Sequence, residues 1–334
     1  MKRIAFLLLP IAAFGRNYTA VATTDHGVAV VHLADAAKGV EVSIVPSMGN
    51  RAYEFKVHGK NILYFPHDNM SGLTDRQELN GIPFLAPWAN RLNEPGFWAN
   101  GKHYSFNLSL GNIRGALPIH GMLSGSELWQ VTEVAADNKS AHVTSKLAFW
   151  KDPSLMAQWP FAHEYEMTYR LADGVLQVSI SVTNLSTDQM PIVLGFHPYY
   201  RIPDVPRDGW TAHLAARKMV IADDRLLPTG QLKALDLPNP LPLKGRALDT
   251  GFTDLERDAG GRAHFWIESG GKKIEIMFGP KYPVAVVWEP PPPPGETRDF
   301  ICIEPMTAVT NGVNLNHEGK YPDLQKLAPG GQME

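Results

Sequence analysis

Apolar and polar positions alternate with a period of two over much of this chain. Leu176, Val178, Ile180 and Val182 alternate with Gln177, Ser179, Ser181 and Thr183. That spacing turns one face of an extended strand inward and the other outward. Runs rich in β-branched and aromatic residues recur at 28–33, 40–45, 52–57, 142–149, 164–171, 192–196, 211–214, 264–267, 273–278 and 284–289. Turn residues separate them, among them Asp173-Gly174, Asn184-Leu185-Ser186, Ser269-Gly270-Gly271 and Gly279-Pro280. No long amphipathic helix appears; 215–221 is at most a weak helical candidate. Neither an internal repeat nor a Ser/Gly-rich linker interrupts the pattern. The prediction is one large all-β domain, sandwich-like, with function on its long loops. Five consecutive prolines, Pro290 to Pro294, predict a stiff polyproline-like surface loop.

Composition narrows the function classes. The 334 residues are 44% hydrophobic and 19% charged, which suits a well-buried core. A net charge of -3 argues against a nucleic-acid partner, because phosphate neutralisation needs a basic surface. The single cysteine, Cys302, forms no internal disulfide and reads as a small buried apolar residue.

The N-terminus reads as a targeting segment. Lys2 and Arg3 precede an apolar run at 4–14, too short to span a bilayer. Small-residue cleavage patterns follow at Ala13-Phe14-Gly15 and Ala20-Val21-Ala22. Residues 1–22 are therefore expected to be an export signal and 23–334 the mature domain, periplasmic or secreted. The alternative reading is a first strand of the fold, in which case the protein is cytoplasmic. No other stretch is apolar enough to cross a membrane.

The chemistry-bearing positions stand at the ends of apolar runs. Glu304 ends the run that begins at Ile301, and a buried carboxylate is costly unless it is paired or used. His197 stands in Gly195-Phe196-His197-Pro198-Tyr199-Tyr200, also at the end of an apolar strand. One carboxylate and one histidine on rigid elements make an acid/base pair. Asn90 and Arg91 interrupt the apolar passage 82–92, and an arginine there offers fixed donors to an oxygen-rich ligand. His120 lies in Pro118-Ile119-His120-Gly121, where a turn histidine is the plainer reading. Asp249, in Leu248-Asp249-Thr250-Gly251, is read either as a ligand acceptor or as an ordinary turn aspartate. G-x-S-x-G, Walker A, G-x-G-x-x-G and H-E-x-x-H motifs are all absent, so neither a nucleophile elbow, a phosphate loop nor a helical zinc site is supported.

Taken in order, Asn90-Arg91 with Gly96-Phe97, Ile119-His120-Gly121, His197-Pro198-Tyr199, and Ile303-Glu304-Pro305 with Asn311 and Asn314 resemble the aldose 1-epimerase (galactose mutarotase) family over about 40–314. The resemblance implies a galactose-mutarotase-like β-supersandwich of large antiparallel sheets, a small-molecule sugar in an open cleft, and no cofactor or metal. It implies Glu304 as catalytic base, His197 as catalytic acid, and Arg91, His120, Asp249 and Asn90 as sugar-binding residues. Met122, Tyr200 and the stretch 306–311 differ from common family members. The resemblance places these differences in or near the cleft, where they bear on which sugar is taken. Trp88 is one aromatic available to stack on a sugar.

Three rival functions remain at this stage. A non-catalytic carbohydrate-binding protein on the same scaffold has no need of an acid/base pair. A hexose-6-phosphate mutarotase needs converging cations, for which Arg76, Arg91 and Arg114 are available. A lyase or hydrolase needs a second carboxylate near Glu304, with Asp249 and Glu289 as candidates.

Overall fold

A computed structural model describes residues 13–14, 17–73, 78–109, 113–291 and 299–334. The period-two stretches fold as strands, and all their ladders are antiparallel. The N-terminal part forms a six-stranded meander that includes Tyr18–Asp25, Val28–Asp35, Val40–Val45 and Arg51–Val57. A five-stranded sheet carries Gln130–Ala136, Ala141–Ala148, His163–Ala172 and Val175–Asn184, closed by Gln332–Met333. In His163–Ala172 every second residue is buried: His163, Tyr165, Met167, Tyr169 and Leu171. Tyr165, Met167, Tyr169 and Leu171 share one apolar core with Ala20, Leu33, Val42 and Ile44 of the meander. The architecture is thus the expected all-β arrangement of large antiparallel sheets.

An eight-stranded sheet carries the chemistry-bearing residues. Its order runs Pro228–Ala234, Ala216–Ala222, Leu248–Leu255, Val284–Glu289, Ile301–Met306, Gly195–Phe196, Phe84–Leu85, with Tyr199–Tyr200 also paired to Ile301–Met306. Its back face packs on a four-stranded sheet that includes Thr211–His213, Ala263–Ser269 and Lys272–Phe278. Ile301, Ile303, Val287 and Phe252 meet Trp210, Phe265, Ile267 and Phe278 in that interface. Alternation then forces Cys302, Glu304 and Met306 onto the front face.

Several expectations need correction. The weak helical candidate at 215–221 is a strand, Ala216–Ala222, paired on both sides. Val220 and Ile221 suit a pleated surface, and two flanking strands override any helical tendency. Asp249 lies inside the strand Leu248–Leu255, not in a turn. Two short helices were not foreseen: Pro153–Gln158, capped by the Asp152 side chain, and Gly312–His317. Pro292 to Pro294 lie outside the described residues. No helix among those described is long and apolar enough to cross a membrane.

The strand Tyr18–Asp25 pairs along its whole length with Val28–Asp35, and Ala20 opposite Leu33 is fully buried. A boundary after Ala22 falls inside this strand, whereas one before Asn17 leaves it whole. A chain beginning at Thr23 forfeits the buried Tyr18 and Ala20 and half a ladder. It is expected to be less stable by roughly 3 kcal/mol than a chain beginning at Asn17. Denaturant melts of the two proteins check this, and equal midpoints would show that the strand contributes little.

Candidate functional site

Strand register assembles the site. Glu304 stands directly opposite Val286, and Val286 opposite Gly251, so the three form a row across adjacent strands. In the next row Tyr199, Cys302, Trp288 and Asp249 stand side by side. Two apolar clusters flank Glu304 on this face. One holds Tyr199, Phe300 and Cys302 with Trp288; the other holds Met306, Val284, Val286, Leu85 and Val309.

His197 is delivered by the short turn between Gly195–Phe196 and Tyr199–Tyr200, both paired to the Glu304 strand. Its Nε2 lies 3.2 Å from Glu304 Oε1, with the two side chains 6% and 1% exposed. Glu304 Oε2 has no hydrogen-bond partner among the described residues, nor has His197 Nδ1. The imidazole stacks on Tyr199 at 4.9 Å and meets Trp288 and His120 edge to face at 5.5 and 5.2 Å.

The remaining sequence-predicted residues come from two loops that hold each other. Asn90 and His120 both adopt left-handed backbone, at φ 58° and 61°. The His120 N–H donates to the Asn90 carbonyl at 3.0 Å, and the Asn90 N–H donates to His120 Nδ1 at 3.3 Å. Neutral His120 therefore carries its proton on Nε2. Gly121 follows at φ 62°; a Cβ there would lie 2.1 Å from the Ala86 carbonyl oxygen, so only glycine lets the loops approach this closely. Asn90 Oδ1 accepts from the Arg91 N–H at 2.8 Å and from Arg91 Nη1 at 3.0 Å. Arg91 Nη2 donates to Asp249 Oδ2, also at 3.0 Å, which ties the loop to the eight-stranded sheet.

The structure therefore brings Glu304, His197, Arg91, His120, Asp249 and Asn90 together. Asn90, Arg91, Asp249 and Val286 line one end of a cleft of about 360 Å³. Such a volume suits a small molecule. Asn311 and Asn314 brace this region from behind. Asn311 Oδ1 accepts from the Asn93 N–H at 3.1 Å, and Asn314 Oδ1 accepts from the Trp98 N–H at 3.0 Å. They secure the loop that follows Arg91.

Other candidates fall elsewhere. Glu289 points to the back of the sheet, fully buried 3.1 Å from Arg207 Nε, and is no second carboxylate for Glu304. Trp88 stacks on Phe106 and Trp159 within the core. The half-buried aromatic beside His197 and Asp249 is Trp288, which sequence reasoning did not single out. Its signal was present: period-two alternation places it on the face of Val284 and Val286. Met122 and Tyr200 pack against the core and Met306 beneath the cleft, so of the divergent positions only Val309 and Thr310 line the cleft itself. Arg76 and the Arg114 side chain lie outside the described residues.

Burial dominates the electrostatics. It pushes the Glu304 carboxyl well above its ordinary range, helped by the Asp249 carboxylate and opposed by Arg91. It holds the His197 imidazole down to about 3, with the Arg91 charge adding to the effect. The pair thus favours one proton in total, with neither net charge tolerated.

A stability test follows from the sign of this shift. Folded Glu304 keeps its proton far above the pH at which the unfolded chain releases it. The stability associated with this group therefore declines as pH rises toward the folded pKa. Glu304→Gln removes that dependence. The stability of the variant minus that of the parent should grow as pH rises above the ordinary carboxylate range toward the folded pKa. Thermal melts across that range decide it; a pH-independent difference counts against a buried carboxyl burden.

Comparisons with known proteins bear on the family and the fold. A family model described as aldose 1-epimerase matches residues 30–334. A galactose mutarotase-like protein from Clostridium acetobutylicum superposes with a TM-score of 0.83 over 96% of this chain and 97% of that one, at 22% identity, a likeness of fold. The Slr1438 protein of Synechocystis sp. PCC 6803 is 27% identical, with a TM-score of 0.71 over 91% and 92% of the two chains. The Escherichia coli K12 protein YphB, itself uncharacterized, is 26% identical over 176 residues, 51% of this chain and 57% of its own length. The chain thus spans little more than half of that curated relative. With the family model covering nearly all of the described sheets, the chain belongs to the aldose 1-epimerase family.

Proposed function

We propose that this protein is a mutarotase that interconverts the α and β anomers of a free aldohexose, with Glu304 as base and His197 as acid. The observation that carries this reading is the buried Glu304–His197 contact of 3.2 Å, with Glu304 Oε2 unpartnered, beside a cleft walled by Arg91 and Asp249. A sugar hydroxyl supplies the hydrogen bond that Oε2 lacks.

The steps balance within the pair. Glu304 takes the proton of the C1 hydroxyl as the C1–O5 bond breaks, and His197 Nε2 gives its proton to O5. The carbonyl forms at C1, rotation about C1–C2 presents its other face, and the reverse transfers close the ring. Ring opening starts from carboxylate and imidazolium and ends at carboxylic acid and imidazole. The second form is the one burial favours. The reacting state is therefore reached by one proton moving between two atoms already in contact, without solvent. Arg91 and His120 donate to sugar oxygens and fix the ring, while Trp288 offers an aromatic face to its C–H groups. No water enters the reaction and the leaving oxygen stays tethered, so one carboxylate suffices where a glycosidase needs two.

Arg91 is already engaged by Asp249 and Asn90, which does not favour a sugar phosphate in its place. A purely binding role leaves the buried pair without a use.

Polarimetry on freshly dissolved α-D-glucose and α-D-galactose tests the reading. The protein should speed the approach to the same final rotation. Glu304→Gln and His197→Asn should each lower kcat/KM by about 10²–10⁴ with the fold intact by circular dichroism. Wild-type rates in either variant remove that residue from its role.

Export is part of this proposal, supported by Lys2, Arg3 and the apolar run 4–14. Mass analysis of protein recovered from the cell envelope should find a chain that starts close to Asn17. Protein found in the cytoplasm with Met1 in place overturns it.

A further inference from the structure

A second cavity, of about 170 Å³, shares no lining residue with the Glu304 cleft. Three segments wall it. One is the hairpin of Gly96–Ala99 and Lys102–Ser105, another the helix Gly312–His317, and the third the short ladder of Met190–Pro191 with Lys326–Leu327. Hydrogen bonds fix the walls to one another. The Asn100 side chain, at the hairpin tip, donates to the Gln189 carbonyl at 2.8 Å. The Trp98 N–H donates to Asn314 Oδ1 of the helix, and Asn316 Nδ2 donates to the Tyr321 carbonyl at 2.8 Å. The cavity is therefore preformed, as small-molecule sites usually are.

The side chains around it are mixed as a ligand site requires. Trp98 and His317 stack with centroids 4.0 Å apart and planes within 2° of parallel. His317 is the exposed ring of this stack, so its flat surface is held rigidly from beneath. Pro191 and Leu324, both buried, add apolar surface. Three polar groups stand around these surfaces without a protein partner among the described residues: Lys326 Nζ, the Gln189 amide and Asn316 Oδ1. Lys56, Lys146, Lys233 and Lys320 each pair with a carboxylate, whereas Lys326 does not, and no Asp or Glu among the described residues lines the cavity.

Size and charge narrow the ligand. Drug-sized ligands fill about 300–1,000 Å³, so this space suits a molecule of one ring. A rigid ring surface with apolar neighbours receives the C–H face of a sugar. Side-chain amides match hydroxyls, and an ammonium without a counter-charge matches a carboxylate. We propose that this cavity is an accessory, non-catalytic binding site for a sugar acid, a single pyranose ring carrying a carboxylate. The ring lies on His317, the carboxylate meets Lys326 Nζ, and hydroxyls bond to the Gln189 amide and Asn316 Oδ1. With no carboxylate in its lining to act as a base, the site holds this ligand without converting it. The inference is independent of the activity proposed for the Glu304 cleft.

Calorimetric titration of the full chain with methyl β-D-glucuronide tests it, because the locked anomer cannot open its ring. Methyl β-D-glucoside, which lacks the carboxylate, and benzoate, which lacks the hydroxyls, serve as comparisons. The glucuronide should bind one to one and about tenfold more tightly than either. Lys326→Gln, at an exposed position with no partner to lose, should leave Tm unchanged and abolish the advantage over the glucoside. His317→Ala should weaken the glucuronide several-fold. Glucuronide bound no better than the glucoside overturns the carboxylate assignment, and benzoate bound as tightly overturns the sugar class. Glucuronide binding that survives both variants lies elsewhere on the molecule and overturns the site, as does the absence of saturable binding.

Discussion

The buried contact between Glu304 and His197 is the constraint on which the rest of this architecture turns. Removing a carboxyl and an imidazole from water is tolerable here because each answers the other at 3.2 Å and the pair stays neutral overall. That condition needs two strands in register, one carrying Glu304 and one delivering His197. It also needs apolar walls to keep water out. The back sheet supplies the first requirement by gripping Ile301 and Ile303. The clusters around Cys302 and Met306 supply the second. Stability and chemistry are therefore opposed at one residue. The walls that make the carboxyl costly to ionise are the walls that hold a proton between two defined atoms.

Around this rigid centre, the loops are positioned by strain and by mutual hydrogen bonds. Asn90, His120 and Asn311 all occupy left-handed backbone. Each is held by a partner in another segment: Asn90 and His120 by one another, Asn311 by Asn93. Such conformations persist only where the surroundings over-determine them. Arg91 then bridges loop and sheet through Asp249. Its guanidinium beside the pair disfavours imidazolium at His197 and favours carboxylate at Glu304, so it pushes both toward losing a proton.

Much of this was legible from the chain, and the limits have a common physical origin. The period of two over 176–183 showed which residues face the core, because a strand has only two faces. The motifs around Arg91, His120, His197 and Glu304 identified residues that the fold does bring together. Glu289 and Glu304 looked alike, each an acid at the end of an apolar run. They differ because one faces the back of the sheet toward Arg207 and the other the cleft. Trp88 and Trp288 differ for the same reason. Facing direction depends on register between distant strands, which local pattern does not contain. Asn311 and Asn314 were found by motif, yet their work is to brace the loop at 93–98. The strand Ala216–Ala222 was misjudged because its conformation is set by two neighbours remote in sequence.

The same sheet separates what must be constant from what is free to vary. Glu304 lies on a central strand and His197 in the turn beside it, and both are buried. The hairpin that closes the far end of the cleft lies at the edge, three strands from Glu304. There Leu226 and Leu232 are exposed, and changes cost the core little. Tyr200 and Met306 look like specificity positions when compared by motif, but their packing makes them supports. The shape of the cleft is therefore set along the row that leads from Val286 over Gly251 to Val220 more than by the neighbours of Glu304. Along that row a side chain added or removed reshapes the cleft while leaving the proton-sharing pair in place.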